Sequence, residues 1–143
     1  MLTATGPYFM CMPLGDGIRT VRFLHPDLRR QLDGASIKEC TLYREFADQV
    51  LGELTSGDTV ILNFGLVERF PTAFYQFLMK VREELRSRSV HLLLCGFSSD
   101  ILEGLGVLQA ERIFEITHTE EQAWYKAQVH DAVPRPSGVP TKA

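Results

Sequence analysis

The stretch from Thr59 to Arg88 leaves this chain few choices of fold. Val60, Ile61, Leu62 and Phe64 make a short apolar run, bounded by Gly57-Asp58 before it and Gly65 after it. Such a run between turn residues predicts a strand buried on both faces. Glu68-Arg69 break the pattern, and Phe70-Pro71-Thr72 follow. Proline lacks an N–H and holds φ near the helical value, so it suits a first turn and not a later one. Phe74, Phe77, Leu78, Val81 and Leu85 then recur at spacings of three and four, one face of a helix, while Lys80, Arg82, Glu83, Glu84 and Arg86 fall largely on the other. A buried strand feeding a helix through a short turn is the core of a parallel β-α unit.

The flanks extend that unit. Tyr8–Met12 and Ile18–Leu24 around Gly15-Asp16-Gly17 predict a hairpin, with Pro13 making its first strand an edge. His25-Pro26 ends the second strand, and Asp27–Ser36 is ambiguous. From about Ile37 to Leu54, Leu42, Phe46 and Val50 lie four apart and predict a helix, stopped by Ser56-Gly57-Asp58. Val90–Cys95 reads as a second buried strand. Ser98, Ser99 and Asp100 each offer an N-cap oxygen for a short helix to about Leu105. Arg112–Ile116 alternates weakly, as a last strand. Thr117 with Glu120 fits a capping box for a helix from Thr119 to about Gln128. Residues 1–132 thus read as one domain, and the Pro- and Gly-rich residues 133–143 as a disordered tail.

Composition excludes several classes. A net charge of −3 gives no electrostatic reason to expect nucleic acid as a partner. No apolar run approaches the roughly 20 residues that span a bilayer, and Met1–Met12 makes a poor signal peptide. Cys11, Cys40 and Cys95 are odd in number and widely spaced, so a reducing, cytoplasmic setting is expected, with Cys95 a small core residue.

The motifs of catalysis are missing. His25, His91, His118 and His130 stand far apart, without a second ligand at metal spacing. There is no Gly-x-Ser-x-Gly elbow and no phosphate-binding Gly-Lys-Ser/Thr loop. Gly104-Leu105-Gly106 lacks the third glycine of a dinucleotide fingerprint. Glu83-Glu84 and Glu120-Glu121 are adjacent in sequence and read as solvated faces. Trp124 and Tyr125 read as core packing. No metal, cofactor or enzymatic activity is expected. An enzyme would need His25, His91 and a carboxylate to converge in one cleft.

The order of elements and the residues from Thr59 to Ala123 resemble a STAS domain, the fold of anti-sigma-factor antagonists. In that family a strand ending in Asp-Leu-Ser-Gly-Val is followed by Asp-Ser-Ser-Gly-Leu at a helix start. Here the first block is Val60-Ile61-Leu62-Asn63-Phe64-Gly65-Leu66-Val67 and the second Pro71-Thr72-Ala73-Phe74-Tyr75. The family's Gly-x-Ser-Pro-Glu is matched by Gly96-Phe97-Ser98-Ser99-Asp100. Its closing Leu-Phe, small strand and Ser/Thr-Glu-Glu-Ala are matched by Ile113-Phe114-Glu115-Ile116 and Thr119-Glu120-Glu121-Gln122-Ala123. The resemblance covers about residues 18–128. It implies an α/β fold with a mixed β-sheet of about five strands, mostly parallel in its second half, and about four helices packed against it.

It also implies a non-catalytic module that binds a protein partner, an anti-sigma factor with serine-kinase activity or a related STAS protein. The family's phosphorylated serine falls on Thr72, with Pro71 in place of the family Asp, Ala73 in place of the second serine and Phe74 in place of Gly. Around Thr72, the residues Glu68, Arg69, Pro71, Tyr75, Met79 and Arg82 form the candidate partner surface. Tyr and Met suit an adaptable interface and Arg a hot spot. Tyr75 and Met79 could equally cover the sheet edge, in which case the monomer itself would bury them. A second candidate is a small-ligand pocket at the strand ends, formed by Asn63, Gly65, Gly96, Phe97 and Ser98. A homodimer is compatible with the residues and required by none.

Overall fold

The central strand lies where the apolar run places it. In the computed structural model, which describes residues 4–5, 9–15, 17–24, 41–70 and 72–132, strand β4 spans Thr59–Asn63. Val60, Ile61 and Leu62 are wholly buried, so both faces of the strand are covered. Around it stand β1 (Ala4–Thr5), β2 (Phe9–Gly15), β3 (Ile18–Phe23), β5 (His91–Cys95) and β6 (Glu115–Ile116). The helices are α1 (Thr41–Gln49), α2 (Thr72–Ser87), α3 (Ser99–Val107) and α4 (Glu120–Ala132).

The strands form one sheet in the order β1-β2-β3-β4-β5-β6. The β1/β2 and β2/β3 pairs are antiparallel, and every pair from β3 to β6 is parallel. Successive side chains of a strand point to opposite faces, and the two faces are covered differently. Val21, Phe23, Val60, Leu62 and Leu94 join the helical residues Leu42, Phe46, Phe74, Phe77 and Ile101 in the main core. On the other face Ile18, Ile61, Leu93 and Cys95 meet Ala123 and Ala127 of α4, with the half-buried Leu14 packed against them. Each fully buried large apolar side chain contributes about 2 kcal/mol. Phenylalanines dominate the main core: Phe64 stacks on Phe23 at 4.9 Å and on Phe97 at 4.6 Å, with Phe74 edge-on at 6.0 Å.

Several boundaries differ from the sequence reading. The first strand runs on through Pro13 to Gly15, with a register shift between those two residues. It is not an edge throughout, because Ala4 and Thr5 pair with Cys11 and Met10. Pro13 lies beyond that short pairing, where no ladder N–H is needed. The helix expected to reach Leu54 ends at Gln49, and Leu51–Glu53 winds into a 3₁₀ turn containing Gly52. The α3 helix continues past Gly104 and Gly106 to Val107. The strand expected over Arg112–Ile116 is cut to Glu115–Ile116, since Gln109 adopts φ 56° and Ala110–Arg112 form a 3₁₀ turn. Helix α4 extends past Gln128 to Ala132. The readings for residues 25–40, for Pro71 and for the tail 133–143 fall outside the described residues.

Candidate functional site

The carboxyl ends of the parallel strands converge with the β4–α2 connection, and Asn63 sits at the junction. Its Oδ1 accepts from the Gly65 N–H at 2.7 Å, a local side-chain-to-backbone turn characteristic of Asn. Phe64 then points inward, its N–H donating to the Cys95 carbonyl at 2.9 Å. Val67 is buried too, so Leu66 between these anchors is pushed out, 58% exposed. Glu68 and Arg69 are exposed beside it. Phe70 turns back to pack on Phe74 at 5.1 Å and Phe97 at 5.7 Å. The connection is therefore a short loop held by the buried Phe64 ring at one end and the half-buried Phe70 ring at the other. Thr72 is the first residue of α2; its side chain, that of Ala73, and Pro71 lie outside the described residues.

Of the five residues of the candidate pocket, Asn63, Gly65 and Gly96 stand in close contact. Gly96 has φ +84°, and a Cβ there would stand 2.7 Å from Asn63 Oδ1 and 2.8 Å from the Gly65 nitrogen. Phe97 is buried on Phe64, and Ser98 Oγ accepts from the Ile101 N–H as the N-cap of α3. Gly96 thus lies directly against Asn63 and Gly65, while Phe97 and Ser98 turn to Phe64 and to α3.

The stripe on α2 is covered by the chain's own segment before β6. The Tyr75 ring stands edge-on to Phe114 at 5.8 Å, and Arg82 Nε donates to the Ile113 carbonyl at 3.1 Å. Tyr75 and Met79 are half-buried against the main core. Between the start of α2 and α3 runs a shallow groove lined by Phe70, Tyr75, Ile101, Gly104, Leu105 and Leu108, with Asp100 at its rim. At the end of α3, Val107 is 81% exposed.

Gly104 has no conformational or packing reason to be glycine within this chain, since nothing lies within 4 Å of where its Cβ would stand. Glycine in a helix interior costs about 1 kcal/mol relative to alanine. Gly104→Ala should therefore raise the melting temperature by about 3 °C, measured by thermal unfolding.

The sequence reading missed the polar cluster below the loop. Glu120, read as solvated, lies at the first turn of α4 against the sheet, its side chain only 17% exposed. Its Oε2 accepts from Thr20 Oγ1, from Arg22 Nε at 3.0 Å and from Asn63 Nδ2 at 3.0 Å, while Arg22 Nη2 donates to Oε1. Arg22, then Asn63 and Thr20, hold the carboxyl down to about 2 against the opposing effect of burial. Burial, with the Glu120 charge next, pushes the nearby Cys95 thiol up to about 12, consistent with an inert core cysteine.

Glu120 is free for this role because the cap lies elsewhere than expected. Thr119 Oγ1 accepts from the Gln122 N–H at 3.1 Å, and Gln122 Oε1 accepts from the His118 N–H at 3.0 Å. The signal available in sequence was Arg22, which shares a strand face with Ile18 and Thr20 and so needs a buried carboxylate.

His91 Nε2 meets Glu115 Oε1 at 2.6 Å, and Lys126 holds the other oxygen at 3.0 Å, while His25 lies outside the described residues. Among the described residues no cluster of three or more His, Cys, Asp or Glu could hold a metal ion. No described helix is long and apolar enough to cross a membrane.

No protein-family model matches the chain, and no curated protein matches it in sequence. The architecture, a mixed sheet with parallel strands from β3 to β6 and the β4–α2 connection at their carboxyl ends, is a STAS-like α/β fold. One solved structure that shares it is an anti-sigma-factor antagonist (STAS) domain protein from Planctomyces limnophilus. It superposes with a TM-score of 0.62 over 84% of this chain and 97% of that one, at 15% sequence identity. The likeness is one of fold.

Proposed function

We propose that this chain is a non-catalytic regulatory module that binds another protein, in the manner of an anti-sigma-factor antagonist. The binding surface is the loop from Gly65 to Phe70 with the adjoining groove between α2 and α3. The observation that carries this reading is Leu66. It is 58% exposed between two buried neighbours, flanked by the exposed Glu68 and Arg69. A fixed apolar side chain with a charged rim is what an interface centre requires.

Of the stripe residues, Tyr75 contributes as groove wall, Met79 packs against the main core, and Arg82 holds the segment before β6. The partner class is a serine kinase of the anti-sigma type or a second STAS protein, met in the cytoplasm of a bacterium. Phosphate on Thr72 would gain from the N-terminus of a 16-residue helix. It would also add about two negative charges at that helix start and drive off an acidic partner.

The test is capture by the tagged chain from its native cells, with intact mass spectrometry. Wild-type protein should retain a kinase-like partner that Leu66→Asp loses while keeping its melting temperature. Equal capture by both would sink the interface. A gain of one phosphate that disappears in Thr72→Val supports the switch; an unmodified wild-type protein that still binds leaves a module without one. The ligand-pocket alternative has less support, because Gly96 packs directly on Asn63 and Gly65.

A further inference from the structure

Between the last turns of α2 and the segment before β6 lies a cleft of about 360 Å³. Its floor is apolar, because Leu85, Val90 and Phe114 line it and are buried. Its rim is basic, with Arg82 and Arg86 from α2 and Arg112 from the 3₁₀ turn before β6. None of these three guanidinium groups makes an ion pair among the described residues. Arg82 is held in place by its Nε, which donates to the Ile113 carbonyl at 3.1 Å. Its two terminal nitrogens make no hydrogen bond to a described residue.

The acids of the cleft do not offset this charge. Glu115 is engaged by His91 at 2.6 Å and by Lys126 at 3.0 Å, and the exposed Glu111 makes no ion pair among the described residues. Three cations thus face one uncommitted carboxylate, in a chain whose net charge is −3. The negative end of the α2 dipole accounts for Arg86, which stands in the last turn. It does not account for Arg82, a turn earlier, or for Arg112, which comes from another segment. Walls of low dielectric focus the field of such a cleft on a counter-ion.

We propose that this cleft binds a phosphate monoester carried on a small apolar body. Guanidinium forks match phosphate oxygens in pairs, and Arg82, Arg86 and Arg112 supply the donors. The ester carries about two negative charges near neutral pH, which offsets the surplus of the rim. Leu85, Val90 and Phe114 receive the apolar body. The volume is at the lower end of ordinary ligand sites, roughly 300–1,000 Å³, so it suits a single ring and not a dinucleotide. Arg86 stands about 21 Å along α2 from Thr72, so this ligand and a protein at the Gly65–Phe70 loop do not compete for one surface.

The test titrates the full-length protein with phenyl phosphate and with inorganic phosphate, followed by proton–nitrogen NMR of the arginine Nε groups. Phenyl phosphate should shift the Arg82 and Arg112 signals and bind about tenfold more tightly than inorganic phosphate. A variant carrying Arg86→Gln and Arg112→Gln should keep its melting temperature and lose about tenfold or more in affinity. Glu111→Gln should tighten binding about threefold, an effect of opposite sign that no loss of folding produces. Sedimentation with phosphatidylcholine vesicles, with and without phosphatidic acid, identifies the source of the ester. Association that requires phosphatidic acid and is lost in the double variant assigns a lipid headgroup; phenyl phosphate binding without it assigns a soluble ester. Equal affinity of wild type and double variant overturns the proposal. So do arginine signals that respond no more to phenyl phosphate than to sodium chloride of the same ionic strength.

Discussion

Gly96→Ala should cost this protein about 3 kcal/mol or more and lower its melting temperature by about 10 °C. Two effects add. At φ +84° an L side chain is strained by about 1–2 kcal/mol. The new methyl would also stand 2.7 Å from Asn63 Oδ1 and 2.8 Å from the Gly65 nitrogen, so β4 and β5 must separate at their carboxyl ends. Neither neighbour is the free end of a flexible side chain: Gly65 is backbone, and Asn63 is held by Glu120 at 3.0 Å. Gly57→Ala separates the two effects, because Gly57 has φ +95° with nothing within 4 Å of its Cβ position. That variant should lose only the strain, about 1–2 kcal/mol. Denaturant unfolding of both variants measures the difference, and equal losses would show that the contact with Asn63 is not rigid. In Gly96→Ala the Gly65 amide resonance should also move, since its bond to Asn63 is displaced.

Glu120→Gln should cost about 2 kcal/mol at pH 7, and the cost should vanish in acid. The carboxyl is held at about 2, against an ordinary 4.5, by Arg22, Asn63 and Thr20. A depressed acid stabilises the fold wherever it is ionised. Its contribution is complete above about pH 5 and is lost as the pH falls from the ordinary value toward 2. A displacement of that size corresponds to about 3 kcal/mol. The Arg22 side chain is 39% exposed, and solvent screening reduces the figure to about 2 kcal/mol. Glutamine keeps the shape but carries no charge, leaving the part-buried Arg22 guanidinium without its carboxylate. Unfolding free energies of wild type and variant should converge between pH 5 and pH 2. A gap that stays constant over that range would mean the ion pair contributes nothing. The exposed neighbour provides the control: Glu121→Gln should change stability by less than about 0.5 kcal/mol.

Glu120 also reaches the loop, because Asn63 donates to it with Nδ2 and accepts from Gly65 with Oδ1. The seat of α4 and the partner-facing loop thus share one side chain. Loosening the first should be visible in the second as a shift of the Gly65 and Leu66 amides.

What local sequence determined is what depends on neighbours a few residues away. The unbroken run Val60–Leu62 required a strand covered on both sides, and the three-and-four spacing of Phe74, Phe77, Leu78, Val81 and Leu85 required a helix with one buried face. The alternation of such units was enough for a parallel sheet, and the order of motifs was enough for a STAS-like fold. Ser98, Ser99 and Asp100 each offered an N-cap oxygen, and Ser98 is the one the helix uses. Tertiary structure decided the rest, because the partners lie far apart in the chain. Glu120 reads as solvated until Thr20 and Arg22, about a hundred residues earlier, are brought under it. Tyr75 and Arg82 read as candidate partner surface, with sheet-edge cover an equal alternative for Tyr75, until the Ile113–Phe114 segment is laid across them. Trp124 and Tyr125 read as core until α4 docks through two alanines, leaving its bulkiest residues outside. Periodicity tells which residues share a face; it does not tell what the folded chain places against that face.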